Sequence, residues 1–121
     1  MSALIWQRPC DSLAAIGEQL HEAFVVVRSA IEAGEPAVIV VNAPDLLGQG
    51  SLEDAALATG LVGLMRATTF EGGSKGWHVN VVAIDPGTDP PAAVLQAARE
   101  IASLKGQVLN LSAGQVGKVI P

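Results

Sequence analysis

Residues Leu57–Gly87 read LATGLVGLMRATTFEGGSKGWHVNVVAIDPG, and this run decides the fold. Its first half is apolar or small at almost every position and predicts a helix from Ser51 to about Phe70. Ser51 stands at the start of that helix, and Glu53 and Asp54 sit in its first turn, where negative charge is favoured. Glu71-Gly72-Gly73-Ser74-Lys75-Gly76 then breaks the helix in a turn. His78-Val79-Asn80-Val81-Val82-Ala83-Ile84 follows, a β-branched run that Asp85-Pro86-Gly87 ends. Such a run, with almost no polar alternation, suits a strand buried on both faces of a parallel sheet.

The same alternation of helix and apolar strand extends in both directions. Upstream, Ala37–Val41 is a second buried strand, and Asn42–Gly50 is expected to be a loop. Leu13, Ile16, Leu20, Phe24, Val27 and Ile31 recur at helical spacing between Asp11 and Ala33. Asp11 or Ser12 can cap that helix, and Gly34 suits the left-handed position just beyond its end. Val25-Val26-Val27 interrupts its polar face, so the helix is expected to be covered on two sides. Ala3–Trp6 is a short first strand. Downstream, Pro90 and Pro91 open a third helix through about Leu104, Gln107–Leu111 is a last strand, and the tail from Ser112 to Pro121 is expected to add an edge hairpin. The expected fold class is α/β, β-α-β-α-β-α-β, with about four parallel strands in one domain over residues 1–121.

Composition narrows the function classes. Half of the residues are hydrophobic and only 16% are charged, giving a mean hydropathy of +0.41. The apolar residues fall in short blocks, none near the ~20 a spanning helix needs, and no signal-peptide pattern opens the chain. Seven scattered Lys and Arg and a net charge of −5 argue against nucleic acid and against a membrane surface. Cys10 is the one cysteine, which fits a reducing, cytoplasmic setting. His21 and His78 lie on different elements without a cysteine cluster, so no metal is expected.

Gly60-Leu61-Val62-Gly63-Leu64-Met65-Arg66-Ala67 with Glu71, then Gly76–Ala83 with Pro86-Gly87, resemble the helix and strand that follow the catalytic tyrosine in short-chain dehydrogenases/reductases (SDRs). The likeness is to the 3-oxoacyl-(acyl-carrier-protein) reductases in particular. Val40-Val41-Asn42 resembles the strand before that family's catalytic serine, and Gly106–Leu111 with Gly114 resembles its last strand. The resemblance covers about Leu20 to Gly114. It implies a truncated Rossmann-like three-layer fold without the nucleotide-binding first half.

It also implies where the chemistry would stand. In that family an Asn, a Ser, a Tyr and a Lys act together, the ammonium tuning the phenol toward neutral pH. The matching positions here are Gln19, Asp45, Asp54 and Ala58, and the chain contains no tyrosine. Pro86 and Gly87 remain from the nicotinamide loop as a vestigial turn. Gly48-Gln49-Gly50-Ser51 could place an anion at a helix start, but Glu53 and Asp54 would repel it and no phosphate-binding glycine motif is present. Asp45, Glu53 and Asp54 are more simply capping and first-turn residues than an acid–base pair.

No cofactor is therefore expected, and the resemblance implies a non-catalytic relative that acts through subunit association. The partner is a second copy, as dimer or tetramer, or a complete reductase. The expected interface is Leu20, Phe24, Val27, Gly60, Gly63 and Leu64, on the two helices that SDR enzymes pack into a four-helix bundle. Two alternatives stay open: an oxidoreductase subunit using a partner's NAD(P) site, and a small-ligand site in the cleft around Asn42–Gly50 and Asp85–Asp89.

Overall fold

The computed structural model describes residues 3–112. The tail segment beyond Ser112, with its expected hairpin and Gly114, lies outside the described residues. Four strands form one parallel sheet in the order β1 (Ala3–Trp6), β2 (Ala37–Asn42), β3 (Val79–Ile84), β4 (Val108–Asn110). Ala3 pairs with Ala37, Ala37 with Val79, and Val81 with Val108. The connections carry helices α1 (Leu13–Ala33), α2 (Ala43–Leu46), α3 (Leu52–Gly72) and α4 (Ala92–Glu100). The α/β layered fold is the expected one.

Local chemistry sets the helix ends. Ser12 rather than Asp11 caps α1, its hydroxyl accepting from the Ala15 N–H at 3.1 Å. Gly34 closes the helix at φ +69°, and the Glu35 N–H reaches back to the Ala30 carbonyl at 2.8 Å. Ser51 caps α3 through the Asp54 N–H at 3.0 Å. That helix continues two residues past Phe70 and runs into a 3-10 turn at Gly73–Lys75. Gly72 fits there because the Trp77 ring packs flat against it, where any Cβ would collide.

Three expectations of detail do not hold. The segment after β2 is not all loop, because Pro44 sits in the first turn of the short helix α2. The last helix stops at Glu100 instead of Leu104, with Ile101 already extended. Val25 and Val26 remain exposed within this chain, so α1 is covered on one side only.

The sheet is buried on both faces by different helices. Ala37, Ile39, Val41, Val79, Val81 and Ala83 face α1 and α3, packing on Val27, Leu57, Leu61 and Met65. Val38, Val40, Val82 and Ile84 face the other way, onto Val94, Leu95 and Ala98 of α4. The strands step in one direction across the sheet, yet α4 lies on the face opposite α1 and α3. The third crossover therefore has the opposite hand to the first two, against the strong right-handed preference of such units.

Asn80 supplies the reason. It is fully buried in an otherwise apolar strand, on the α4 side of the sheet. Its Nδ2 donates to the carbonyls of Ala98 at 2.8 Å and Leu104 at 2.6 Å, and its Oδ1 accepts from the Gln107 N–H at 3.1 Å. One amide thus fixes the end of α4, the turn after it and the entry to β4. His78 Nε2 also lies 2.9 Å from the Ala98 carbonyl and 3.3 Å from Asn80 Nδ2, which joins the ring to the same cluster. Asn80→Ala is expected to lower stability by about 2–4 kcal/mol, since it strands buried groups at three points. Chemical denaturation measures the loss, and amide exchange should show α4 opening first.

Candidate functional site

Gln7 directly follows the first strand, and its side chain organises the C-terminal end of the sheet. Its N–H continues the ladder to the Val40 carbonyl at 2.8 Å, which fixes the direction of the side chain. Its Oε1 accepts from the Asn42 N–H at 2.8 Å. Its Nε2 donates to Asp45 Oδ2 at 2.9 Å and to the Asp54 carbonyl at 3.3 Å. Gln7 and Asp45 are both buried, and Gly50 leaves the space that the Asp45 carboxylate occupies.

The residues after Gln7 hold two more of the expected positions. Gln19 of α1 clasps the backbone of residue 8, accepting from its N–H and donating to its carbonyl, each at 2.9 Å. The Arg8 side chain points outward to Glu22 at 2.7 Å, an exposed pair of little energetic weight. Asp54 Oδ1 accepts from the Cys10 N–H at 3.1 Å and from its thiol at 3.7 Å. Burial first, then the Asp54 charge, push the Cys10 thiol above its ordinary pKa.

Gln19, Asp45 and Asp54 are therefore brought to one end of the molecule. They meet through segment 7–10 rather than through one another. Ala58 lies beneath them, fully buried in the apolar core between α3 and the sheet. A methyl group in that setting offers no ammonium to tune an acid. Every polar side chain of the cluster has a partner inside the chain, so the arrangement is a satisfied structural knot. Gln7 and Cys10 are members that sequence reasoning missed. A glutamine directly after an apolar strand was the available signal for the first.

The other expected positions lie apart from this knot. Pro86 and Gly87 form an exposed turn after β3, with Gly87 at φ +82° and the Thr88 hydroxyl donating to the Asp85 carbonyl at 2.6 Å. Ser112 donates to Asp85 Oδ1 at 2.6 Å and ties β4 to that turn. Among the described residues, no group of three or more His, Cys, Asp or Glu could hold a metal ion. No helix there is long and apolar enough to cross a membrane.

The six interface positions divide. Leu20 and Gly60 meet within the chain, since a Cβ on Gly60 would stand 2.9 Å from the Leu20 methyl. Val27 is 1% exposed and belongs to the core. These three serve the packing of α1 on α3. Phe24 is 51% exposed, Leu64 is half-buried, and Gly63 faces open space. Phe24 and Leu64 help line a groove of about 490 Å³ between the two helices.

The fold is an α/β layered one, four parallel strands with flanking helices. Among solved structures it is similar to a citronellol catabolism dehydrogenase (AtuB) of Pseudomonas aeruginosa PAO1, with a TM-score of 0.69 and 17% identity. The match covers 92% of this chain but 60% of that one. No protein-family model matches the chain, and no curated protein does.

Two outcomes follow from the knot. Gln7→Leu should cost about 2–3 kcal/mol in denaturant melts, because it leaves the Asn42 N–H and the Asp45 carboxylate without their partner. Alkylation of Cys10 should follow thiolate formation, with a pH midpoint above that of a free cysteine. Asp54→Asn removes a charge that disfavours the thiolate, so it should move that midpoint down and speed labelling at fixed pH.

Proposed function

We propose that this chain is a non-catalytic relative of the short-chain dehydrogenases/reductases that works by associating with other subunits. One observation carries the reading: the positions matching the family's phenol and ammonium are Asp54, tied to Cys10, and Ala58, sealed in the core. Hydride transfer of that family needs a proton donor of tuned pKa beside the substrate, and no such pair exists among these residues. What remains functional is surface. Phe24 and Val25 are exposed on α1, Phe70 on α3, and the groove between the helices is lined by Phe24, Ile31, Leu64, Ala67 and Trp77. Contiguous apolar surface of this kind marks an association site. The reading takes a reducing, cytoplasmic setting and needs no cofactor of its own.

A second reading is favoured by the 92% coverage on a dehydrogenase structure. In it the chain is an oxidoreductase subunit that relies on a partner's NAD(P) site.

Fluorescence titration with NADH and NADPH separates the two, run on the chain alone and with a complete reductase. The first reading expects no binding by the chain alone, no change in the reductase's cofactor affinity, and a mass above the monomer by light scattering. Tight cofactor binding by the isolated chain would overturn it.

A further inference from the structure

We infer that the free edge of β1 pairs with β1 of a second copy, antiparallel and centred on Ile5, joining the two four-stranded sheets into one. The inference rests on the association reading and adds a surface that reading does not use. Among the described residues β1 is bonded to β2 alone. The N–H groups of Ala3 and Gln7 reach toward β2, to the carbonyls of Pro36 and Val40. Backbone groups alternate sides along a strand, so those of Leu4 and Trp6 point out of the sheet edge. Arg8 points out as well, but the Gln19 amide accepts from its N–H and donates to its carbonyl, each at 2.9 Å. Gln19 thus ends the open edge just beyond Trp6.

The open stretch is its own complement. Antiparallel pairing about Ile5 sets Leu4 opposite Trp6 of the second copy, and each such pair exchanges two N–H to carbonyl bonds. Every outward donor and acceptor of Leu4 and Trp6 is then used in both copies. The same register sets Ala3 of the second copy against Gln7, just short of the Gln19 amide, whereas a longer foreign strand would run into it. A two-fold axis through Ile5 makes the contact isologous. Strands that stay single carry charge, proline or a bulge on their open edge, and Leu4-Ile5-Trp6 carries no charge or proline.

The side chains fit the same arrangement. Ala3 and Ile5 pack on the core beneath α1, so Leu4 and Trp6 face the other way. Helix α4 covers β2 and β3 on that second face and leaves Leu4 37% and Trp6 39% exposed. Pairing lays Leu4 of each copy beside Trp6 of the other as an apolar cross-strand pair. On the α1 side a groove of about 250 Å³ runs between β1 and α1, lined by Ile5, Ala23, Val26 and Leu61. Ile5 of the second copy enters that groove, and the exposed Val26 turns toward the other copy. The groove's charged residues, Arg8 and Glu22, already pair with each other, so the seam carries no unbalanced charge.

The test uses the full chain. Ile5 meets Ile5 across the two-fold with Cβ atoms about 4.5–5.5 Å apart, close enough for a disulfide after a small shift. Ile5→Cys in a Cys10→Ser background should give a covalent dimer on mild oxidation, and Gln96→Cys on exposed α4 in the same background should not. Leu4→Pro removes an outward N–H and no bond to β2, so it should keep the far-UV spectrum and show the monomer mass by light scattering. In the unaltered chain, the Leu4 and Trp6 amides should gain protection from exchange as concentration rises. Coupling of Ile5→Cys no faster than Gln96→Cys would overturn the register. A dimer that keeps its mass in Leu4→Pro and leaves those amides unprotected would overturn this edge while leaving association intact. Assembly only with a complete reductase would overturn the second copy as occupant, and a monomer under every condition would overturn the association reading as well.

Discussion

Two strands without a polar face set the terms for this molecule. Both β2 and β3 are buried along their length apart from the strand-end Asn42, so each needs apolar cover above and below. Helices α1 and α3 supply one layer and α4 the other. A fully buried Val or Ile contributes about 1.5–3 kcal/mol, and each face of the β2–β3 pair presents several. The cover on the second face therefore cannot be left to a helix that is free to return on the first. Asn80 is the device that prevents it. Its amide holds the end of α4, the turn after it and the entry to β4 together, and a valine at the same position would add burial but no direction.

The polar knot at the other end of the sheet follows from the same constraint. Parallel strands that end together leave backbone groups and helix starts converging in one place, and the apolar core stops there. Gln7 meets that need with one donor and one acceptor group, linking β1, β2, α2 and α3. Asp54 and Gln19 do the same for the segment that leads into α1. In open parallel α/β sheets, ligands commonly bind at this end of the strands. Here each group is already tied to the chain's own backbone or amides, which stabilises the loop ends.

Much of the fold was legible because period and punctuation agreed. Ser12, Gly34 and Ser51 mark helix ends through capping chemistry that acts within a few residues, so sequence exposes it directly. The long-range parts were not legible. The early end of α4 depends on Asn80 taking the Leu104 carbonyl, a contact across 24 residues that no local pattern signals. Helix α2 is a single turn, too short for periodicity to register. The resemblance singled out Gln19, Asp45 and Asp54, but their shared partner, segment 7–10, lies upstream of the residues that carry it. Leu20 and Gly60 show the limit of a small-residue argument. Glycine on a helix marks a close approach, and only coordinates say whether the neighbour is internal or external.

The remaining question is why so apolar a chain leaves Leu52, Phe24 and Phe70 bare. Core demand does not explain them, because the sheet is already covered on the α3 side by residues from the opposite flank of the helices. Chance exposure of single hydrophobic residues is ordinary. Leu52 and Phe70, however, mark the two ends of one outward stripe of α3, a seam with Ala56, Thr59, Gly63 and Arg66 between them, and Phe24 stands at the groove beside that helix. Selection for solubility alone would place charge along such a seam, and the only charge in it is Arg66. That face of α3 has the composition of an interior and the position of a surface.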